Sequence, residues 1–111
     1  MPEWVVGFER LGMDDVPRVG GKNASLGEMI SNLSRVGVRV PGGVATTSDA
    51  FQAFVAQDGL GDRIQALLAD CNVDDVRELA RRGGQIRAMV EAALLPADLE
   101  AQIRRAYNEL G

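Results

Sequence analysis

Residues 19–26 read Val19-Gly20-Gly21-Lys22-Asn23-Ala24-Ser25-Leu26, two adjacent glycines followed by the only lysine of the chain. Apolar residues recur after it at helical spacing, which predicts a helix from about Lys22 to Arg35 with one buried stripe: Leu26, Met29, Ile30 and Leu33. Glycines let backbone N–H groups approach an anion, and a helix start adds unpaired donors and partial positive charge. The stretch therefore predicts a phosphate site at the start of a helix.

Length and composition are those of one globular domain or a piece of one. The 111 residues are 46% hydrophobic and 25% charged, with a net charge of −4. An acidic total excludes duplex DNA and anionic membrane surfaces as the main partner, whereas a nucleotide needs only a local positive spot. The start carries no signal-peptide pattern and Cys71 is the only cysteine, so we expect a cytoplasmic protein without nucleic-acid or membrane partners.

The chain contains no histidine, which limits the chemistry that it can perform. A Ser-His-Asp triad, a histidine metal site and a phosphohistidine are all excluded within these residues. The acidic pairs Asp14-Asp15 and Asp74-Asp75 are typical of turns or helix starts rather than of metal ligands. We therefore assign no catalytic and no metal-binding residue.

The remaining pattern predicts an α+β fold that is mainly helical with a few short strands. Strands are expected at 4–8 and 44–47, separated by a loop at 9–20, the helix and a C-cap at Gly37. Two strands do not form a self-sufficient sheet, so they either pair with strands from elsewhere or pack against the helices.

Further helices are predicted after the second strand. Thr47 or Ser48 caps a helix that ends at Gly59, and Gly83-Gly84 bends or splits a later helix. The residues expected on apolar faces are Phe51, Phe54, Val55, Leu60, Ile64, Leu67, Leu68, Val76, Leu79, Ala80, Ile86, Met89, Val90, Leu99, Ile103, Ala106, Tyr107 and Leu110.

Common nucleotide-binding motifs do not fit the glycine stretch. A P-loop requires a glycine where Val16 stands and a hydroxyl residue where Asn23 stands, and the spaced glycines of the Rossmann motif are absent. A glycine–lysine pair alone favours a plain loop with an exposed lysine.

The wider sequence resembles a known family. Residues 11–29, from Leu11-Gly12-Met13-Asp14-Asp15 to Gly27-Glu28-Met29, closely resemble the start of the phosphoenolpyruvate synthases, which are related to pyruvate phosphate dikinase. Residues 37–51 are also similar, although the family usually has phenylalanine where Val44 stands. Three further stretches are similar to the family: Asp74-Asp75-Val76, Gln85-Ile86-Arg87 and Ile103-Arg104-Arg105-Ala106-Tyr107.

The resemblance implies that residues 1–111 are the N-terminal part of an ATP-grasp-like ATP-binding domain. The family uses ATP, water and Mg²⁺ to pass a phosphoryl group through a histidine to pyruvate, giving AMP, phosphoenolpyruvate and phosphate. The family lysine that contacts the ATP phosphates maps onto Lys22, and Gly20 and Gly21 would permit close approach. Thr46 and Thr47 would lie on a strand beside the nucleotide, although strand packing and helix capping explain them as well. For Asn23 and Ser25 the alternatives are added hydrogen bonds at this site or capping of the helix, and we expect capping.

Several partners follow from the same resemblance. They are ATP, pyruvate in the full-length enzyme, and the remaining domains of the parent, which supply the Mg²⁺ ligands and the phosphohistidine. We expect the 111 residues alone to be inactive, and the sequence leaves homo-oligomer formation open. One alternative is another dikinase-type phosphotransferase that acts on a rifamycin antibiotic. Another is a non-catalytic helical module that binds partners through Phe51, Phe54 or Leu99.

Overall fold

A computed structural model describes residues 3–110. Two short strands and six helices follow one another along the chain: β1 Val5–Gly7, α1 Val16–Val19, α2 Gly21–Arg35, β2 Val44–Thr46, α3 Ser48–Ala56, α4 Leu60–Ala69, α5 Val76–Ala92 and α6 Ala97–Leu110. Single 3₁₀ turns lie at Phe8–Arg10, Met13–Asp15 and Gln57–Gly59. The α+β class and the predominance of helix are as predicted.

The described chain divides into two compact units. Residues 3–52 together with 97–110 form the first unit, and Ala53–Pro96 forms the second. The glycine stretch and both strands belong to the first unit.

The two strands of the first unit pair with each other. They are antiparallel, with Val5 opposite Thr46 and Val6 opposite Ala45. β1 also packs against α6, which shelters the small sheet. The sequence left two alternatives for the strands, pairing with strands from elsewhere or packing against the helices. The described residues show packing against a helix.

A small apolar cluster holds the sheet to the chain around α1. Val6, Leu11 and Ala45 are buried together, and Phe8 and Val19 pack against them. Burial of a valine or leucine side chain contributes roughly 1.5–3 kcal/mol. The cluster joins β1, β2 and the residue that immediately precedes the glycine pair.

Helix α2 begins and ends where predicted, and Ile30 is buried as predicted, but the rest of its buried face differs. Ala24 and Gly27 are also buried, whereas Met29 is 44% exposed. Leu26 and Leu33 are half-buried. Gly27 is buried against Leu11, which leaves no room for a side chain at that position. At the far end Gly37 adopts φ +81°, which confirms the predicted C-cap.

The loop prediction for 9–20 is wrong in part. Two 3₁₀ turns and the short helix α1 occupy much of this segment. Pro17 lies in the first turn of α1, where its missing N–H costs no hydrogen bond. Proline therefore marks a helix start here rather than a break.

In the second unit, α5 runs without interruption through Gly83-Gly84, so the predicted split is wrong. Asp75 caps this helix by accepting a hydrogen bond from the backbone N–H of Glu78 at 3.2 Å. Arg82 connects α5 to α4 by donating to the Leu67 carbonyl at 2.6 Å. None of the helices within residues 3–110 has both the length and the apolar character needed to cross a bilayer.

Several residues predicted to face inward are instead exposed. Phe51 and Tyr107 are 66% and 73% exposed. The other exposed residues of the predicted set are Leu68, Val76, Leu79, Ala80, Val90 and Leu110. Helical spacing identifies an apolar face correctly, but it does not say whether the described residues cover that face.

Candidate functional site

The turn between α1 and α2 depends on Gly20. This residue has φ +85° and ψ 163°, a conformation that favours glycine. Its N–H donates to the Val16 carbonyl at 2.8 Å, and its own carbonyl accepts from the Ala24 N–H at 3.1 Å. Gly20 therefore ends α1 and begins α2 within a single residue.

Backbone donors are free at the start of α2. Gly20 has no side chain with which to cap the helix, and among residues 3–110 the N–H groups of Gly21 and Lys22 have no acceptor. A Cβ placed on Gly20 or Gly21 meets no atom within 4 Å. The first turn is thus open to an approaching anion, and α2 is fifteen residues long, so its dipole adds to the attraction.

Lys22 is exposed in this first turn and forms no ion pair or hydrogen bond with residues 3–110. The nearby arginines are engaged instead. Arg18 donates to Asp15 at 3.1 Å and to Glu3 at 3.3 Å, and Arg10 pairs with Glu3 at 2.5 Å. The lysine ammonium therefore keeps its charge available for a ligand.

The acidic partners of these arginines, Glu3 and Asp15, have lowered pKa values. The hydrogen bond from Arg10, with the charges of Arg10 and Arg18, holds the pKa of Glu3 below its ordinary value. The pKa of Asp15 is also lowered, first by the backbone N–H of Gly12 and then by Arg18. Both carboxylates stay ionised at neutral pH and neutralise the guanidinium groups.

The capping roles predicted for Asn23 and Ser25 are wrong. The Asn23 amide donates to the Val19 carbonyl at 3.0 Å, at the end of α1. The Ser25 hydroxyl lies 3.7 Å from the Met13 sulfur. Because both side chains are used on the preceding segment, they leave the N–H groups at the start of α2 uncapped.

Thr46 and Thr47 have different environments. Thr46 is exposed at the end of β2. Thr47 is only 4% exposed, and its hydroxyl accepts from the Ala50 N–H at 3.2 Å and donates to the Glu3 carbonyl at 3.4 Å. Thr47 is thus the cap of α3, one of the two caps that the sequence predicted, and its hydroxyl is already used.

Two contacts that the sequence did not predict hold the strand end near the glycine turn. The Ser48 hydroxyl donates to the Pro17 carbonyl in α1 at 3.3 Å. Val19, which precedes Gly20, packs on the cluster that contains Ala45, which precedes Thr46. Such contacts between distant segments leave no local signal in the sequence.

The fold and this helix start define an α+β module with an open turn, which presents free backbone N–H groups and an exposed lysine within residues 3–110. Residues 16–111 match the family described as pyruvate phosphate dikinase, AMP/ATP-binding domain, and the chain belongs to this family.

Curated relatives share most of the chain. It is 56% identical over 110 residues to a phosphoenolpyruvate synthase of Pseudomonas aeruginosa (strain UCBPP-PA14), covering 99% of this chain and 14% of that protein. It is 55% identical over 107 residues to the synthase of Neisseria meningitidis serogroup B, covering 96% and 14%. For the Escherichia coli K12 synthase the identity is 53% over 106 residues, covering 96% and 13%. The resemblance seen in the sequence is confirmed, and the chain spans about 14% of the length of these relatives.

Proposed function

We propose that this chain is the N-terminal part of the ATP-binding domain of a phosphoenolpyruvate synthase, and that Gly20, Gly21 and Lys22 bind the ATP phosphates. The parent protein would use ATP and water to convert pyruvate to phosphoenolpyruvate, with AMP and phosphate as the other products. The observation that carries the proposal is that, among residues 3–110, the N–H groups of Gly21 and Lys22 have no acceptor and the Lys22 ammonium has no partner.

These groups suit phosphoryl transfer, which depends mainly on positioning and on stabilising negative charge. The N–H groups of Gly21 and Lys22 would orient phosphate oxygens, and the Lys22 ammonium would balance their charge. Of the two threonines, Thr46 is exposed and its hydroxyl would be available to a nucleotide, whereas Thr47 is occupied as a cap.

The other parts of the reaction lie outside these residues in this proposal. Residues 3–110 gather no group of three or more His, Cys, Asp or Glu side chains that could hold a metal ion. Ligands for Mg²⁺, the phosphohistidine and the pyruvate site would come from the remaining domains of the parent. An ATP-grasp-like architecture and a cytoplasmic location belong to the same proposal.

The test uses a joined polypeptide, in which this chain replaces the matching residues of the Pseudomonas aeruginosa relative. We expect it to form AMP and phosphoenolpyruvate from ATP in the presence of pyruvate, and this chain alone to form neither. The acceptor that the full-length parent of this chain uses decides between pyruvate and a rifamycin, because the acceptor site lies outside these residues in this proposal. Absence of ATP-dependent turnover from a folded joined polypeptide would contradict the proposal.

The non-catalytic alternative rests on one observation, the exposure of Phe51. Of the three residues expected to bind a partner, Leu99 is buried and Phe54 is half-buried, which leaves Phe51. This alternative predicts that Lys22→Ala leaves the activity of the joined polypeptide unchanged and that Phe51→Ala weakens binding to a partner. Our proposal predicts that Lys22→Ala has much the larger effect.

A further inference from the structure

Helix α5 carries an apolar stripe with the spacing of a helix–helix seam. We define the apolar stripe as Val76, Leu79, Gly83, Ile86 and Val90, which follow one another at intervals of three, four, three and four residues. This alternation keeps side chains on one side of a helix and is the pattern by which two helices pack at a shallow angle.

The apolar stripe is largely uncovered. Val76 is 77% exposed, Leu79 is 41% exposed and Val90 is 39% exposed, while Ile86 is half-buried. No residue described in α5 is fully buried, although the helix has seventeen residues. Leaving so many apolar side chains in water forgoes a large part of the stabilisation that their burial would give.

The contact between α5 and α4 lies at one border of the stripe. Arg82 faces α4, because it donates to the Leu67 carbonyl and to Asp70, both at 2.6 Å, and it also donates to Glu78 at 2.7 Å. Leu79 and Ile86 lie three and four positions from Arg82 and so adjoin this side of the helix. Val76, Gly83 and Val90 lie about 80–120° around α5 from Arg82 and extend the stripe beyond these contacts.

Gly83 lies in the middle of the apolar stripe and favours close approach. A Cβ at this position meets nothing nearer than the Arg87 guanidinium at 3.5 Å, so packing within this chain does not require glycine. Glycine in a helix interior is destabilising relative to alanine. A helix crossing at this point would offset that cost by packing close to the backbone.

We propose that the apolar stripe of α5 is the docking face for a helix from the part of the parent polypeptide outside these 111 residues. This inference rests on the proposed function, since it requires the parent. The Pseudomonas aeruginosa relative matches 99% of this chain yet is about seven times longer, so most of its polypeptide remains to supply the partner. The partner helix would present its own apolar stripe.

Charge favours this occupant over a second copy of the chain. Helix α5 contains four arginines and two glutamates: Arg77, Arg81, Arg82, Arg87, Glu78 and Glu91. Two identical α5 faces would bring an excess of positive charge together, which opposes association. A partner helix with acidic residues beside its apolar stripe would complement Arg87, which forms no ion pair with residues 3–110.

Thiol labelling tests the coverage of the stripe directly. In a Cys71→Ser background, Val76→Cys places a probe on the stripe, and Gln85→Cys places a matched control on an exposed position about 180° around α5. Val90→Cys is a second stripe probe in case the first disturbs the helix start. The rates of reaction with a maleimide are compared in this chain and in the joined polypeptide.

We expect both stripe probes to react on the order of tenfold more slowly than Gln85→Cys in the joined polypeptide, because docking shields them. In this chain alone the probes should react at similar rates. Equal rates in the joined polypeptide would overturn the inference. The inference would also be overturned if the stripe probes in this chain alone became protected from the maleimide as the chain concentration increased, since that result identifies a second copy as the partner. Labelling needs no ATP, so a result that overturns the docking inference is distinct from a result that contradicts the ATP-binding proposal.

Discussion

Gly27 of α2 lies directly against Leu11. A Cβ on Gly27 would come within 2.5 Å of the Leu11 Cβ and 2.6 Å of its carbonyl oxygen. Leu11 is in turn 3% exposed and belongs to the cluster with Val6 and Ala45. The absence of a side chain at residue 27 thus sets how closely α2 approaches the sheet, and with it the position of the helix start that carries Lys22.

Gly27→Ala should therefore destabilise the chain even though alanine is the better helix former. The added methyl group overlaps both backbone and side-chain atoms of Leu11, and overpacking of this kind costs about 1–3 kcal/mol. Urea unfolding followed by circular dichroism measures the change. If Gly27→Ala is as stable as the unsubstituted chain or more stable, the contact between α2 and Leu11 is looser than described.

Gly21→Ala is the matched variant in the same helix. A Cβ there meets no atom within 4 Å, so we expect unchanged or slightly raised stability. In the joined polypeptide the methyl group would stand beside the free N–H groups, and we expect weaker ATP binding by isothermal titration calorimetry. Loss of folding would reveal a structural need for glycine at this position, and unchanged affinity would remove Gly21 from the phosphate site.

Thr47→Ala should destabilise the chain by about 1–2 kcal/mol, because it removes the cap of α3 and leaves the Ala50 N–H unpaired. Thr46→Ala is the neighbouring control, and because Thr46 is exposed the change should stay within about 0.5 kcal/mol. Chemical unfolding compares the two variants. Equal effects would contradict the separate environments of the two threonines.

Much of this fold could be predicted from local sequence. Helix α2 ends as predicted because Gly37 supplies the left-handed conformation of a C-cap, and Thr47 is a recognisable helix cap. The buried face of α2 could not be predicted, because small residues such as Gly27 are buried only by a neighbour distant in sequence. Hydrophobic spacing alone wrongly favoured Met29.

The candidate site shows the same division. The glycine pair and Lys22 stand out in the sequence, but the uncapped helix start does not, because the sequence predicts that Asn23 and Ser25 cap it. The ion pairs that occupy Arg10 and Arg18 depend on Glu3, which is distant from Arg18 in sequence, and therefore required the structure.

Stability should depend on pH through the contacts of Arg82. The hydrogen bond and charge of Arg82 lower the pKa of Asp70 below its ordinary 3.8, and Arg81 followed by Arg82 lowers the pKa of Glu78 below 4.5. A carboxyl group whose pKa is lower in the folded state stabilises the fold above its unfolded pKa. That contribution is lost as the pH falls through the folded pKa.

Arg82→Met removes this contribution along with the link to Leu67. At pH 7 we expect the variant to have a lower urea midpoint than the unsubstituted chain. The difference between the two urea midpoints should narrow as the pH falls below about 4. Urea unfolding at a series of pH values provides the measurement. A constant difference across the series would mean that Arg82 acts through the Leu67 carbonyl alone.

The binding of ATP to the joined polypeptide tests the central claim most directly. Lys22→Ala removes a charged contact worth roughly 1.5–3 kcal/mol and should raise the Kd for ATP by about 10- to 100-fold. Arg35→Ala removes a positive charge at the other end of α2, where the residue is exposed, and should leave the Kd within about twofold. If Lys22→Ala binds ATP as tightly as the Arg35→Ala control, the glycine turn is not the phosphate site.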